Sequence, residues 1–231
     1  MKKTLFAFTA LAAAFAVTSC QNNEELSLEP TDPQTDRLMV TTGTAKAKIG
    51  ESEVDVNWVQ LWAGGPKFAE YNVGAANKKA EDYGVYYCWG SNIDTDSKRA
   101  YKIGTDALTG NSDTATNLWG SNWRMPTREE LEALVNDKNC TCTWTTQNSV
   151  EGLLCTGRGA YSSNSVFLPA AGGCFYGYVF GQDYYGYYWS STPDGSLYAY
   201  YLNFYSGRQY VDDDGRDRGY SVRAVLNESA E

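Results

Sequence analysis

Five cysteines downstream of Cys20, at Cys88, Cys140, Cys142, Cys155 and Cys174, carry the most reactive side chains of this 231-residue chain. Thiol chemistry at neutral pH needs a neighbouring base, and the usual one is histidine. The chain has no histidine. The commonest general base and the commonest zinc ligand are thereby both missing. No G-x-S-x-G elbow and no Gly-rich phosphate loop occurs, and Cys140-x-Cys142 lacks the paired C-x-x-C knuckles of a Cys-only zinc site. Acids are too numerous for any pair to stand out as a glycosidase dyad. Asp212-Asp213-Asp214 supplies oxygens that suit calcium, but successive residues of a strand point in opposite directions and no bidentate Glu follows. The expectation is a protein without catalytic residues, cofactor or metal. An odd number of cysteines leaves at least one outside any intrachain pair. Cys142 and Cys155 flank Thr143 to Leu154, a segment that could be a hairpin bringing them together, although spacing alone does not fix the connectivity.

The other chemistry in the chain is phenolic. Residues 176–220 hold 12 of the 18 tyrosines, with six aspartates and seven glycines but no Lys, Glu, Met or Ile. Ser206-Gly207 sits where a two-residue hairpin turn belongs, and period-2 alternation sorts its flanks onto two faces. Tyr200, Leu202, Phe204 and Val211 form a core-like set. Tyr201, Asn203, Tyr205, Arg208, Tyr210 and Asp212 form a polar aromatic set with the composition of an antibody paratope, in which Tyr gives contact area at low entropy cost and Asn, Asp and Arg give adaptable polar contacts. This second set is expected to face a partner.

The elements that must position it are mostly short strands. One helix is legible: Thr127 and Glu130 make a capping box, and Leu131, Leu134 and Val135 give a buried stripe ending near Asp137. Strands are expected around Val54 to Leu61, Thr143 to Gln147, Val166 to Leu168 and Tyr220 to Val225. Gly90 to Asn117 reads as a long surface loop, within which Asp113-Thr114-Ala115 matches a short bacterial O-glycosylation pattern that is also frequent by chance. Trp119, Trp123 and Trp189 are expected in the core. Together these features predict an α+β domain, with few helices around a small twisted antiparallel sheet.

At the other end of the chain, Lys2 and Lys3 precede an apolar run from Leu5 to Val17, too short to span a bilayer. Val17-Thr18-Ser19-Cys20 resembles the lipobox of bacterial lipoproteins. Residues 1–19 are therefore expected to be a signal peptide, Cys20 the lipidated residue, 20–40 a flexible tether and 41–231 one domain. The resemblance implies an outer-membrane lipoprotein that meets the membrane through lipid alone. The acidic patch after Cys20 also resembles a surface-export signal. The net charge of −9, made more negative by loss of Lys2 and Lys3, argues against nucleic acid as a partner.

Six blocks carry a wider resemblance: Tyr71-Asn72-Val73-Gly74-Ala75; Asp82-Tyr83-Gly84 with Trp89-Gly90; Asn122-Trp123-Arg124-Met125-Pro126-Thr127; Phe167-Leu168-Pro169-Ala170-Ala171-Gly172; Gly186-Tyr187-Tyr188-Trp189-Ser190-Ser191-Thr192; and Gly219-Tyr220-Ser221-Val222-Arg223. In this order they resemble the C-type-lectin-like "major paralogous domain" of Bacteroidetes surface lipoproteins, distantly similar to the formylglycine-generating-enzyme fold. The resemblance implies a C-type lectin-like fold with long irregular loops. The calcium-site signatures of sugar-binding animal lectins are missing. The Tyr-rich segment is also similar to the variable cassettes of diversity-generating retroelements. There, randomising the first two bases of an Asn codon yields Tyr, Asp, Ser, Asn, Arg, Gly, Phe or Leu among its products and never Lys, Glu, Gln, Met or Trp. That resemblance adds Tyr184, Tyr185, Tyr187, Asp194, Leu197, Tyr198, Asp213, Asp214 and Asp217 to the ligand-binding residues. The expected function is display of a Tyr-rich face, residues 184–217, to an unknown extracellular protein or glycan. The alternatives are a fimbrial or cell-surface assembly subunit, and a thiol enzyme using Cys155 or Cys174.

Overall fold

A computed structural model describes residues 40–91 and 104–228; Cys20, the signal peptide and the tether fall outside them. In chain order the elements are β1 (Thr42–Ile49), β2 (Ser52–Gln60), β3 (Lys67–Ala69), α1 (Thr114–Trp119), β4 (Trp123–Arg124), α2 (Arg128–Leu134), β5 (Cys140–Gln147), β6 (Val150–Gly157), β7 (Ser165–Pro169), β8 (Gly173–Phe175), β9 (Tyr178–Phe180), β10 (Tyr185–Asp194), β11 (Tyr198–Tyr205), β12 (Arg208–Gly215) and β13 (Val225–Leu226). The strands form antiparallel sheets ordered β1-β2-β3-β13-β4, β5-β6-β7, β8-β9 and β10-β11-β12. The α+β expectation is thereby corrected: the domain is nearly all-β. The helical signal is real but brief, since the two α-helices among the described residues have only 6 and 7 residues.

The capping box of α2 forms as its residues dictate. Thr127 Oγ1 accepts from the Glu130 amide, and the Glu130 carboxylate accepts from the Thr127 amide. The same carboxylate pairs with Arg124 at 2.6 Å, which ties α2 to β4. The helix stops at Leu134 rather than near Asp137. The Asn136 side chain takes the Lys138 amide, and Asn139 Nδ2 donates to the Ala133 carbonyl. These local bonds outcompete another helical turn.

The expected strands at 143–147 and 166–168 lie within β5 and β7, and that at 54–61 falls on β2 except for Leu61, one residue past its end. At 220–225 only single bridges and the short β13 form. The 90–117 stretch is not all surface. Residues 92–103 lie outside the described part, whereas Leu108 is buried and α1 begins at Thr114. Asp113, Thr114 and Ala115 are buried as well: Asp113 caps α1 and also accepts from the Met125 amide, and Thr114 Oγ1 donates to the Ser91 carbonyl. That hydroxyl is not available for glycosylation.

Cys142 and Cys155 face each other across β5–β6 and form a disulfide. Cys88, Cys140 and Cys174 are buried thiols. Burial pushes the Cys140 thiol up to about 11, which cuts its thiolate fraction at pH 8 roughly a hundredfold below that of an ordinary thiol. Maleimide labelling should therefore reach Cys140 only after denaturation. Rapid labelling of this residue in the folded protein would contradict its placement.

Two apolar clusters fill the interior, and the β10-β11-β12 sheet lies between them. Trp58, Trp89, Trp119, Trp123, Trp189 and Tyr220 belong to one. Leu61, Phe68, Leu131, Leu153, Tyr188, Leu202 and Phe204 belong to the other.

Candidate binding face

The β10-β11-β12 sheet positions most of the expected binding residues. Its register places Tyr185 opposite Tyr205, Tyr187 opposite Asn203 and Trp189 opposite Tyr201. Across the next seam, Tyr205 meets Arg208, Asn203 meets Tyr210 and Tyr201 meets Asp212. The two-faced sorting therefore holds, with the turn at Ser206-Gly207 where it was expected. Leu202 and Phe204 are fully buried on the core side, and Val211 packs beside them. Tyr200, also on that side, is half-buried under the Arg128 guanidinium, which lies 4.0 Å from its ring centre.

The other face is only partly open, which corrects the expectation for two residues. Tyr201 is 6% exposed and Asn203 7%. For Tyr201 the cause is the segment after β12, which returns over this face and lays Tyr220 against it. Tyr220 lies 5.0 Å from Tyr201, 4.9 Å from Tyr187 and 4.7 Å from Trp189, centre to centre. Tyr185 stacks on Tyr187 at 5.9 Å, and Tyr205 packs on Tyr185 at 5.5 Å. A continuous aromatic ladder thus runs from solvent into the core, each contact contributing about 0.5–1.5 kcal/mol beyond area burial. Burial raises the phenol pKa of Tyr187 to about 12 and drives those of Tyr201 and Tyr220 up as well, Tyr220 also because it donates to the Asp214 carboxylate at 2.6 Å. These rings act as neutral contact surface and hydrogen-bond donors.

Exposure concentrates at the sheet's two ends. At the Ser206-Gly207 end lie Tyr184, Tyr185, Tyr205 and Arg208, with Tyr210 two pairs further in. At the other end lie Asp194, Leu197, Tyr198, Asp213, Asp214 and Asp217. Seven steps of about 3.3 Å separate the ends of β11, roughly 23 Å, so the nominated residues do not form one site. The three consecutive acids also divide, Asp212 and Asp214 on the partly open face and Asp213 on the other. Asp214 bonds Tyr220 and approaches Arg218 at 3.6 Å.

The Tyr-rich 176–220 segment, expected as a whole to be the variable or binding segment, includes the turn and second strand of the β8–β9 hairpin, yet none of their residues is among the individually nominated positions, which begin at Tyr184. Tyr176 is 71% exposed, Tyr178 80% and Tyr184 72%, with Val179 and Phe180 beside them. Phe180 packs on Tyr187 at 5.8 Å and so joins the ladder. The signal was present in Phe175-Tyr176-Gly177-Tyr178-Val179-Phe180, an aromatic hairpin around a turn in which Tyr176 and Gly177 both have positive φ. Tyr176, Gly177, Tyr178 and Phe180 satisfy the codon restriction as well as the nominated positions do, so composition alone could have pointed there. Of the two cysteines proposed for thiol chemistry, Cys155 is in the disulfide and Cys174 is buried.

Five of the six motif blocks fall within residues 81–226, which match the model of the Lcl C-terminal domain. No curated protein and no solved structure matches the chain. With well over half of its length matched, the chain belongs to the Lcl C-terminal domain family.

Proposed function

We propose that this chain is a lipid-anchored surface protein that binds an extracellular protein or glycan through the exposed aromatics of β8–β9 and of the neighbouring end of the β10-β11-β12 sheet. The observation that carries the reading is the gathering of Tyr176, Tyr178, Phe180, Tyr184 and Tyr185, all exposed, on strands and tight turns joined to a buried ladder. Exposed apolar patches on soluble domains mark interaction sites, and aromatics held by a rigid scaffold bind with little loss of conformational entropy. Membership in the Lcl C-terminal domain family supports a surface-associated, ligand-binding role. With lipid on Cys20, a tether of about 20 residues at up to ~3.5 Å each would let the domain work as far as roughly 70 Å from the membrane.

Diversification of exposed positions is compatible with this arrangement, because Tyr184, Tyr198, Arg208 and Asp212 lie at the surface and can change without disturbing the core. Tyr201 and Asn203 are poorer candidates for free variation.

The test replaces Tyr178, Tyr184 and Tyr205 with Ala and probes arrays of extracellular proteins and glycans with both forms. Each anchor should contribute about 1–2 kcal/mol, so the triple variant should lose every bound partner while its circular dichroism and melting temperature stay near those of the parent. Unchanged binding by a folded triple variant would refute the assignment of this face.

A further inference from the structure

Among the described residues, three buried polar side-chain atoms have no hydrogen-bond partner: the Tyr71 hydroxyl, Asn203 Oδ1 and the Ser221 hydroxyl. Buried acceptors without donors are costly and few in native chains. Tyr71 sits in the core against Trp119, and Ser221 bridges to Tyr188, whose ring belongs to the opposite cluster. Asn203 alone lies on the Tyr-rich face. It is more than nine-tenths buried, its Nδ2 donates to the Tyr210 hydroxyl at 3.0 Å, and its Oδ1 is unused. Tyr187 and Tyr210 are its cross-strand neighbours, and Tyr205 follows two residues on.

We propose that Asn203 is the polar floor of the binding face and receives the ε-ammonium group of a lysine from a protein ligand, with the rings of Tyr187, Tyr205 and Tyr210 as walls. The inference deepens the binding function and rests on it. The unused atom is an acceptor, so the ligand must bring a donor. Ring faces favour a cationic one, and Tyr205 offers a partly exposed ring, whereas the face of Tyr210 is already taken by the Arg208 guanidinium, 4.6 Å from its centre. Asp212 is exposed, on the same face as Tyr210 and two residues along β12, about 7 Å away, where it favours positive charge further. A compact ammonium on a four-carbon stem can pass between rings to a recessed oxygen, which a planar guanidinium fills less well. An outward turn of the partly exposed Tyr205 ring opens the path while leaving the Asn203–Tyr210 bond in place.

The test titrates the full chain, carrying Cys20→Ser to prevent lipidation, with Nα-acetyl-lysine methylamide, its Nε-acetylated form and methyl α-glucoside. Tyrosine ring and Asn side-chain amide resonances report binding. The lysine probe should shift the Asn203, Tyr205 and Tyr210 signals saturably, and Nε-acetylation should weaken the effect at least tenfold. Asn203→Leu should abolish it without moving the ring signals of Trp123 and Trp89 in the core. Asn203→Asp should tighten it several-fold by pairing carboxylate with ammonium, and this variant decides the matter if Asn203→Leu does not fold. No saturable shift, equal shifts from the acetylated probe, binding of the glucoside at these residues, or unchanged affinity in Asn203→Asp each overturns the lysine site. The array experiment separates the two failures. If the probe does not bind but the Tyr178, Tyr184 and Tyr205 triple variant still loses its partners, the lysine site falls and the binding function stands. If the triple variant keeps its partners, the binding function falls whatever the probe does.

Discussion

Arg223→Ala should lower the folding stability by about 3–5 kcal/mol, the range for breaking a buried, hydrogen-bonded charge network. The guanidinium is completely buried and its donors are spent on four acceptors in two segments, residues 69–72 and Phe167. Nε donates to Asn72 Oδ1 at 2.8 Å, Nη1 to the carbonyls of Ala69 and Glu70 at 3.1 and 2.8 Å, and Nη2 to that of Phe167 at 3.0 Å. It therefore fastens β3 to β7. Asn72 extends the network by donating to the Tyr188 hydroxyl and the Tyr83 carbonyl, which brings β10 into the same unit. Alanine would leave these buried acceptors without donors. Arg223→Lys should recover little, because an ammonium at the end of a flexible stem cannot reproduce the planar fork. Burial lowers the Arg223 pKa to about 10, so the group is still charged at neutral pH. The unfolded chain binds the extra proton only above that value, so the Arg223 contribution alone grows with pH there, against the opposite contribution of the buried phenols of Tyr187, Tyr201 and Tyr220, and it adds no slope between pH 5 and 8. Urea titrations of parent, Arg223→Ala and Arg223→Lys chains measure all of this. A loss below about 1 kcal/mol for Ala would show that the network carries little of the fold.

This arginine also explains what the motif blocks encode. Asn72, Trp89, Trp123, Met125, Trp189 and Arg223 come from five different blocks and all are buried. Their spacing reports packing rather than ligand contact, so the blocks could be recognised from sequence while saying nothing about what is bound. The two-faced sorting of β11 and β12 was legible for a related reason: side chains alternate on any strand, and one apolar set was enough to choose the inner face. What alternation cannot disclose is whether the second face is covered too. Tyr201 looks like Tyr205 in sequence, but Tyr220 arrives on it from 19 residues away and Trp189 from the neighbouring strand. The helix was read correctly at its start, where Thr127 and Glu130 act within one turn, and too long at its end, where Asn136 and Asn139 divert the backbone. The α+β expectation fails because a capping box fixes where a helix starts and not how far it runs, and seven residues do not make a helical layer.

Gly186 is the position where a single added methyl group should do most damage beneath the binding face. It lies directly opposite Phe204, and a Cβ built on it would fall 1.9 Å from the Phe204 ring. The ring thus lies across the bare glycine, the arrangement in which an aromatic compensates for a glycine in a strand. Phe204 is fully buried there, stacked on Tyr188 at 5.7 Å and touched edgewise by Trp144 at 6.4 Å. Gly186→Ala must push the ring out of both contacts, and the cost of overpacking a filled core, about 1–3 kcal/mol, should be reached or exceeded. Gly186→Val should be worse. The double variant Gly186→Ala/Phe204→Leu separates this steric account from any other role of the glycine. A smaller side chain opposite removes the clash, so the two substitutions should be markedly less harmful together than their separate costs imply, with a coupling of at least about 1 kcal/mol. Additive losses would mean that Gly186 matters for backbone conformation instead. Tyr185 and Tyr187 flank Gly186 on the ladder side, so the displacement that weakens the fold should also spoil the array binding described above. Phe204→Leu alone, which leaves β10 where it is, should affect stability more than binding.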